Sequence, residues 1–113
     1  MLKTTRSNFD RHEARRDRRY SLPPIDVTLP SGTYTTENWS LGGFLLPSGT
    51  GAAPGAPVSG RVTMPDGIAT YDFRADIVRS DVDGDAFRFA QPSGELIGAL
   101  DRAIASRLFR KRA

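Results

Sequence analysis

The chain has no cysteine, one histidine and one tryptophan among its 113 residues. Without cysteine there is no disulfide framework and no thiolate chemistry, which fits a reducing compartment. No apolar run approaches the length of a membrane span, and the polar N-terminus lacks the apolar stretch of a signal peptide. These absences predict a soluble, cytoplasmic protein with one domain, no membrane span and a modest core.

Side chains that could catalyse a reaction are also scarce. His12, the sole histidine, lies in a polar N-terminal stretch, whereas a general base needs a defined position. Ser40 has no evident partner base, and its surroundings do not form the G-x-S-x-G elbow of serine hydrolases. We therefore predict that the protein is not an enzyme.

Three alternating aspartates, Asp81, Asp83 and Asp85, are similar to the start of a calcium-binding loop. Ala86 stands where that loop needs glycine, however, and Pro92 stands where it needs glutamate. We interpret the aspartates as a solvated hairpin turn. The sequence predicts no metal site and no cofactor.

The charge is unevenly distributed along the chain, whose formal net charge is +3. Residues 1–19 carry seven basic and three acidic side chains, and residues 93–113 carry five and two. Residues 20–92 carry four arginines against eight acids. A segment as polar as residues 1–19 cannot bury enough apolar surface to offset its ordering entropy, which predicts a flexible basic N-terminal segment.

Between residues 25 and 90 apolar and polar residues alternate, which is the pattern of half-buried strands. Turn signals separate these stretches, including Pro65-Asp66-Gly67 and Asp83-Gly84. Short strands spaced in this way predict an antiparallel barrel or sandwich. The six predicted strands cover residues 25–29, 33–36, 43–46, 58–64, 71–77 and 87–89.

The last twenty residues change to a helical period. Ser93 can cap a helix whose apolar face would be formed by residues 97, 100, 104 and 108. Glu95 near its start and the basic residues near its end suit the helix dipole. We predict that this helix closes one mouth of the barrel; a basic amphipathic helix lying on a membrane is the alternative.

Two short motifs carry the functional signal. Arg15 and Arg19 form an R-x-x-x-R frame just before the first strand. Asn38, Ser40 and Gly43 form N-x-S-x-x-G between the second and third predicted strands. Each motif alone is weak, since a solvated basic tail or a polar turn would explain it. An antiparallel meander can, however, bring both to the same end of a barrel.

The two motifs together resemble those of the PilZ domain family, receptors for the bacterial second messenger cyclic di-GMP. The resemblance covers roughly residues 11–108, with Tyr20 as the apolar residue after the second arginine and Arg88-Phe89 ending a late strand. It implies a mainly β fold, a six-stranded antiparallel barrel with a C-terminal α-helix. We expect residues 1–19 to form the flexible motif-bearing segment and residues 20–113 to form the barrel and helix.

The chemistry of the motif residues suits this ligand. Arg15 and Arg19 offer planar forks that can pair with phosphate or a guanine edge, or stack on a base. Asn38 can hydrogen-bond a guanine edge, and Ser40 adds a donor or acceptor. Gly43 permits a positive φ or a close approach of the ligand. Secondary candidates for ligand binding are Arg16, Arg18, Trp39 and Gly42.

These observations predict a non-catalytic receptor or adaptor that binds cyclic di-GMP and thereby changes a surface seen by an effector protein. Two alternatives remain open. One is a PilZ-like protein-interaction module without ligand binding. The other is a small nucleic-acid-binding barrel with basic tails, which the sequence pI near 9.8 favours and the acidic body disfavours.

Overall fold

The fold is one antiparallel sheet followed by a helix. A computed structural model describes residues 18–112 and, within them, the side chains of residues 18–106. The strands are β1 (Asp26–Leu29), β2 (Gly32–Thr35), β3 (Asn38–Trp39), β4 (Gly43–Leu46), β5 (Pro57–Thr63), β6 (Thr70–Asp81) and β7 (Gly84–Phe89), and the helix is α1 (Gly94–Arg112). The predicted mainly β architecture is confirmed.

The sheet has seven strands rather than six, in the order β2-β1-β5-β6-β7-β4-β3. The additional strand, β3, has two residues and is therefore too short to show an alternating pattern in the sequence. Its neighbour in the chain, β2, forms the opposite edge of the sheet. In the β2–β3 connection, Thr36 N donates a hydrogen bond to Ile25 O, just before β1, and Glu37 N donates one to Leu45 O of β4. The connection is therefore hydrogen-bonded to both edges of the sheet. The sheet is consequently curled into a half-barrel.

The core lies on the concave face of the curled sheet, where alternate residues of each strand point inward. Phe44 is at its centre, with its ring 4.8 Å from that of Phe87 and 5.4 Å from that of Phe73. Offset and edge-on contacts of this kind add to the stabilisation that burial provides. Other buried members include Val27, Val62, Ile77, Phe89 and Leu100.

The helix begins as predicted, with Ser93 Oγ accepting a hydrogen bond from Leu96 N at 3.1 Å. The predicted apolar face is only partly correct: Leu100 is buried and Ile97 and Ile104 are half-buried, but the buried positions also include Leu96, Ala99 and Ala103. The side chain of residue 108 lies outside the described ones. Small alanines let a helix approach a sheet closely, and a pattern based on large residues overlooks them. Among residues 18–112 no helix is long and apolar enough to cross a membrane.

The prediction of a solvated turn holds for Asp81 and Asp83 but is wrong for Asp85, which is 1% exposed. Its carboxylate accepts hydrogen bonds from Thr50 N, Thr50 Oγ1 and Ser80 Oγ. Burial alone would raise the pKa of Asp85, but these three bonds outweigh burial and leave the pKa lowered. The buried carboxylate thus ties the loop before β5 to the β6–β7 hairpin.

Candidate functional site

The chain that follows the arginine motif is held against β3. Tyr20 and Trp39 exchange two backbone hydrogen bonds, of 2.8 and 2.9 Å, and their ring centroids are 5.4 Å apart. Trp39 Nε1 also donates to Pro23 O at 2.7 Å. The indole is fully buried, so both its apolar body and its single donor are used to attach residues 20–23 to the sheet.

The two sequence motifs meet beside this attachment. Arg19 Nη1 donates to Asn38 Oδ1 at 3.2 Å. Tyr20 and Trp39 are paired and Trp39 points into the core, so their neighbours Arg19 and Asn38 point to the outer face. Arg19 is exposed and Asn38 is half-buried. Guanidinium and amide donors are therefore presented together at the surface.

The remaining residues of the second motif shape the turn between β3 and β4. Ser40 Oγ accepts from Gly42 N at 3.1 Å, and Ser40 N donates to Gly43 O at 2.8 Å. Gly42 O in turn accepts from Phe89 N of β7 at 2.9 Å. Ser40 is only 3% exposed, which leaves little of its side chain available to a ligand. The Ser40 hydroxyl therefore stabilises the backbone of the β3–β4 turn.

Gly43 is required by strand packing. A Cβ atom at this position would overlap the carbonyl oxygen of Phe87 and lie 3.1 Å from Cα of Arg88. Gly43 does not belong to the glycines with positive φ. The sequence suggested two reasons for a glycine at position 43. The first, a positive φ, is wrong, and the close approach that the structure shows is to the backbone of β7. Approach of a ligand at Gly43 stays a prediction.

The structure describes only some of the remaining predicted site residues. Arg15 and Arg16 lie outside the described residues, as does most of the segment predicted to be flexible. Arg18 is described and exposed. Trp39 is buried and presents no surface to a ligand, so its structural role is to hold the N-terminal segment. Within residues 18–112 no group of His, Asp or Glu side chains could hold a metal.

At the candidate site the Arg19 side chain is exposed and that of Asn38 is half-buried. Two grooves lie elsewhere on the molecule: one of about 880 Å³ is lined by residues of β1, β5 and β6, and one of about 740 Å³ lies between Leu22–Pro24 and α1. Neither includes Arg19 or Asn38. The second groove is nonetheless close in the chain, because Pro23 is the residue whose carbonyl Trp39 binds.

A basic residue that adjoins this turn, Arg88, was not among the site residues predicted from the sequence. Arg88 is the β7 partner of Gly43, and its side chain is exposed. Its position between Phe87 and Phe89 indicates an outward orientation in any strand that buries both rings. What the sequence could not show is that β7 pairs with β4, since strand order depends on contacts distant in the chain.

Comparison with known proteins gives a consistent result. The family model of the PilZ domain matches residues 10–106. The structure is similar to the PilZ domain of CeSA from a cellulose-synthesizing bacterium, with a TM-score of 0.58 and 21% identity over 80% of this chain and 99% of that one. It is also similar to Escherichia coli YcgR in complex with c-di-GMP, with a TM-score of 0.62 and 22% identity over 84% of this chain and 46% of that one. A comparison with curated proteins found no match.

Proposed function

Because the chain belongs to the PilZ domain family, we propose that it is a non-catalytic receptor for cyclic di-GMP. The observation that carries the proposal is the hydrogen bond between Arg19 and Asn38, one residue from each motif. The two residues are nineteen positions apart in the chain, yet they offer their polar groups side by side on the outer face. Cyclic di-GMP has two phosphates and two guanines, whose oxygen and nitrogen acceptors can receive hydrogen bonds from these two side chains.

The proposed ligand contacts differ in kind. Arg15 and Arg19 bind phosphate or the O6 and N7 atoms of guanine, where a guanidinium fork forms two parallel bonds. Asn38 reads a guanine edge through its amide. Ser40 and Gly43 keep the turn in place beneath the ligand. The secondary candidates Arg16, Arg18 and Gly42 add charge and backbone donors.

The energy required is within reach of these contacts. A hydrogen bond to a charged group contributes about 1.5–3 kcal/mol net. Ordering a flexible segment on binding costs about 2–5 kcal/mol, and a micromolar complex needs about 8 kcal/mol. Four or five charge-assisted contacts together with stacking meet that requirement. The backbone pairing of Tyr20 lowers the ordering cost, since the end of the arginine motif is already attached.

The attachment also suggests how binding reaches an effector protein. Leu22, Pro23 and Pro24 connect the arginine motif to β1 and line one side of the groove beside α1. A ligand that binds Arg15 and Arg19 on the outer face of the sheet displaces the connection formed by Leu22, Pro23 and Pro24. The groove therefore changes shape when the ligand binds, and we propose it as the surface that the effector senses.

Titration calorimetry with cyclic di-GMP tests the proposed function, with GMP as the control ligand. Arg19→Ala is expected to weaken binding at least about tenfold, because one charge-assisted bond contributes about 1.5–3 kcal/mol and 1.4 kcal/mol is a factor of ten. Arg61→Ala removes the same charge from an exposed position on β5 and is expected to have little effect.

Each alternative predicts a different result. No heat with the wild-type protein at tens of micromolar would refute the receptor proposal. Equal losses from Arg19→Ala and Arg61→Ala would show that only net charge matters. Steep salt dependence with no preference for the cyclic dinucleotide would indicate nucleic-acid binding. An effector protein captured equally with and without the dinucleotide would indicate an interaction module.

A further inference from the structure

Two of the four arginines in the sheet, Arg74 and Arg88, form no ion pair or side-chain hydrogen bond within residues 18–106, and only Arg88 adjoins the second motif. Arg61 Nε lies 3.2 Å from Asp72 Oδ1, and Arg79 Nε lies 3.0 Å from Asp81 Oδ2. Arg88 forms no ion pair or side-chain hydrogen bond with any residue between 18 and 106. The guanidinium of Arg88 is therefore exposed and unpaired within the described residues, which leaves its donors available for a ligand.

Arg88 adjoins the second motif. It lies opposite Gly43 in the β4–β7 register, and a Cβ on Gly43 would be 3.1 Å from its Cα. Across β4, Gly43 O accepts a hydrogen bond from Ser40 N. Arg88, Gly43 and Ser40 therefore lie in one row across β7, β4 and the residue that follows β3. Strands are spaced about 4.8 Å apart, which puts Arg88 Cα about 10 Å from Ser40 Cα.

The same face carries the Arg19–Asn38 pair. Phe87 and Phe89 point into the core, so Arg88 points outward, as Arg19 and Asn38 do. Between the two basic positions lie Gly43, which has no side chain, and Ser40, which is buried. Gly43 and Ser40 are both buried, so neither projects an exposed side chain between Arg19 and Arg88.

We propose that Arg88 is a further ligand-binding residue, which holds the dinucleotide from the side opposite Arg19. The inference rests on the proposed function. Its guanidinium fork would pair with a phosphate or with the O6 and N7 edge of a guanine lying beside the β3–β4 turn. On the other side of Arg88 is Asp76, its partner on β6, with no ion pair between them in the described structure. The arginine is consequently not held away from Gly43.

Titration calorimetry of three proteins tests this role: the wild type, Arg88→Gln and Arg61→Gln. Both variants remove one positive charge from an exposed strand position. Arg88→Gln is expected to raise Kd about tenfold, and Arg61→Gln less than twofold. Thermal unfolding without ligand is expected to shift by no more than 2–3 °C in either, since surface substitutions usually stay within about 0.5 kcal/mol.

Arg88→Lys separates the shape of the side chain from its charge. Lysine keeps the charge but not the fork, so we expect at least a threefold loss of affinity. Wild-type affinity in Arg88→Gln would overturn the role of Arg88 and leave the receptor proposal intact. Equal losses from the two glutamine variants would overturn it in favour of a net-charge effect. Absence of wild-type binding would overturn both proposals.

Discussion

Replacement of Gly43 by alanine separates two explanations for the glycine of the second motif. If it serves the ligand, Gly43→Ala lowers affinity and leaves the fold intact. The structure indicates a different outcome, because the added methyl would overlap the carbonyl oxygen of Phe87. Backbone atoms cannot rotate away as a side chain does, so β4 must move from β7 or β7 must deform.

The expected magnitude follows from this overlap. Forcing an extra methyl into a packed site costs about 1–3 kcal/mol, and here the obstacle is backbone. The upper part of that range is therefore expected. For a domain of this size each kcal/mol lowers the melting temperature by about 4–8 °C, so Gly43→Ala should lose about 10–20 °C. Natural domains have only about 5–15 kcal/mol of stability in total.

Gly42→Ala is the matched control. A Cβ at Gly42 meets only Ser40 Oγ, at an ordinary contact distance of 3.8 Å, and its φ is not positive. Alanine there also restricts the unfolded chain, which stabilises by about 0.4–1 kcal/mol where the native backbone suits it. Urea unfolding of both variants provides the comparison. A Gly43→Ala protein as stable as the wild type, but unable to bind the dinucleotide, would refute the packing explanation.

Two further predictions concern buried polar groups. Asp85→Asn replaces one carboxylate oxygen by an NH2 group, so the donors of either Thr50 or Ser80 lose their acceptor, which should destabilise by about 1–3 kcal/mol at pH 7. Because the pKa of Asp85 is lowered in the folded protein, the ionised carboxylate stabilises the wild type above the ordinary pKa of 3.8. This stabilisation is lost as the pH falls through the folded pKa. An equal difference between the two proteins at pH 7 and at pH 2 would contradict it. Trp39→Phe removes the donor to Pro23 O and should speed amide exchange of residues 20–22 and weaken dinucleotide binding; unchanged exchange would show that the bond does not hold the segment.

Local patterns predicted the strands and the turns because both depend on neighbouring residues. The alternation of Tyr71, Phe73, Ala75 and Ile77 corresponds to β6, and Ser93 begins the helix. Alternation identifies residues that share a face whatever the fold, and the Ser93 cap needs only a backbone N–H three positions ahead. The two motifs were likewise evident in the sequence, and family membership agrees with them.

Only the tertiary structure decided which residues meet. It brought Arg19 to Asn38, set Gly43 against the backbone of β7, placed Arg88 beside it and buried Asp85. Strand order and register determine these contacts, and they depend on packing between segments tens of residues apart. Local pattern carries no record of such pairings, which is why the motif residues could be listed from the sequence while the surface they form could not.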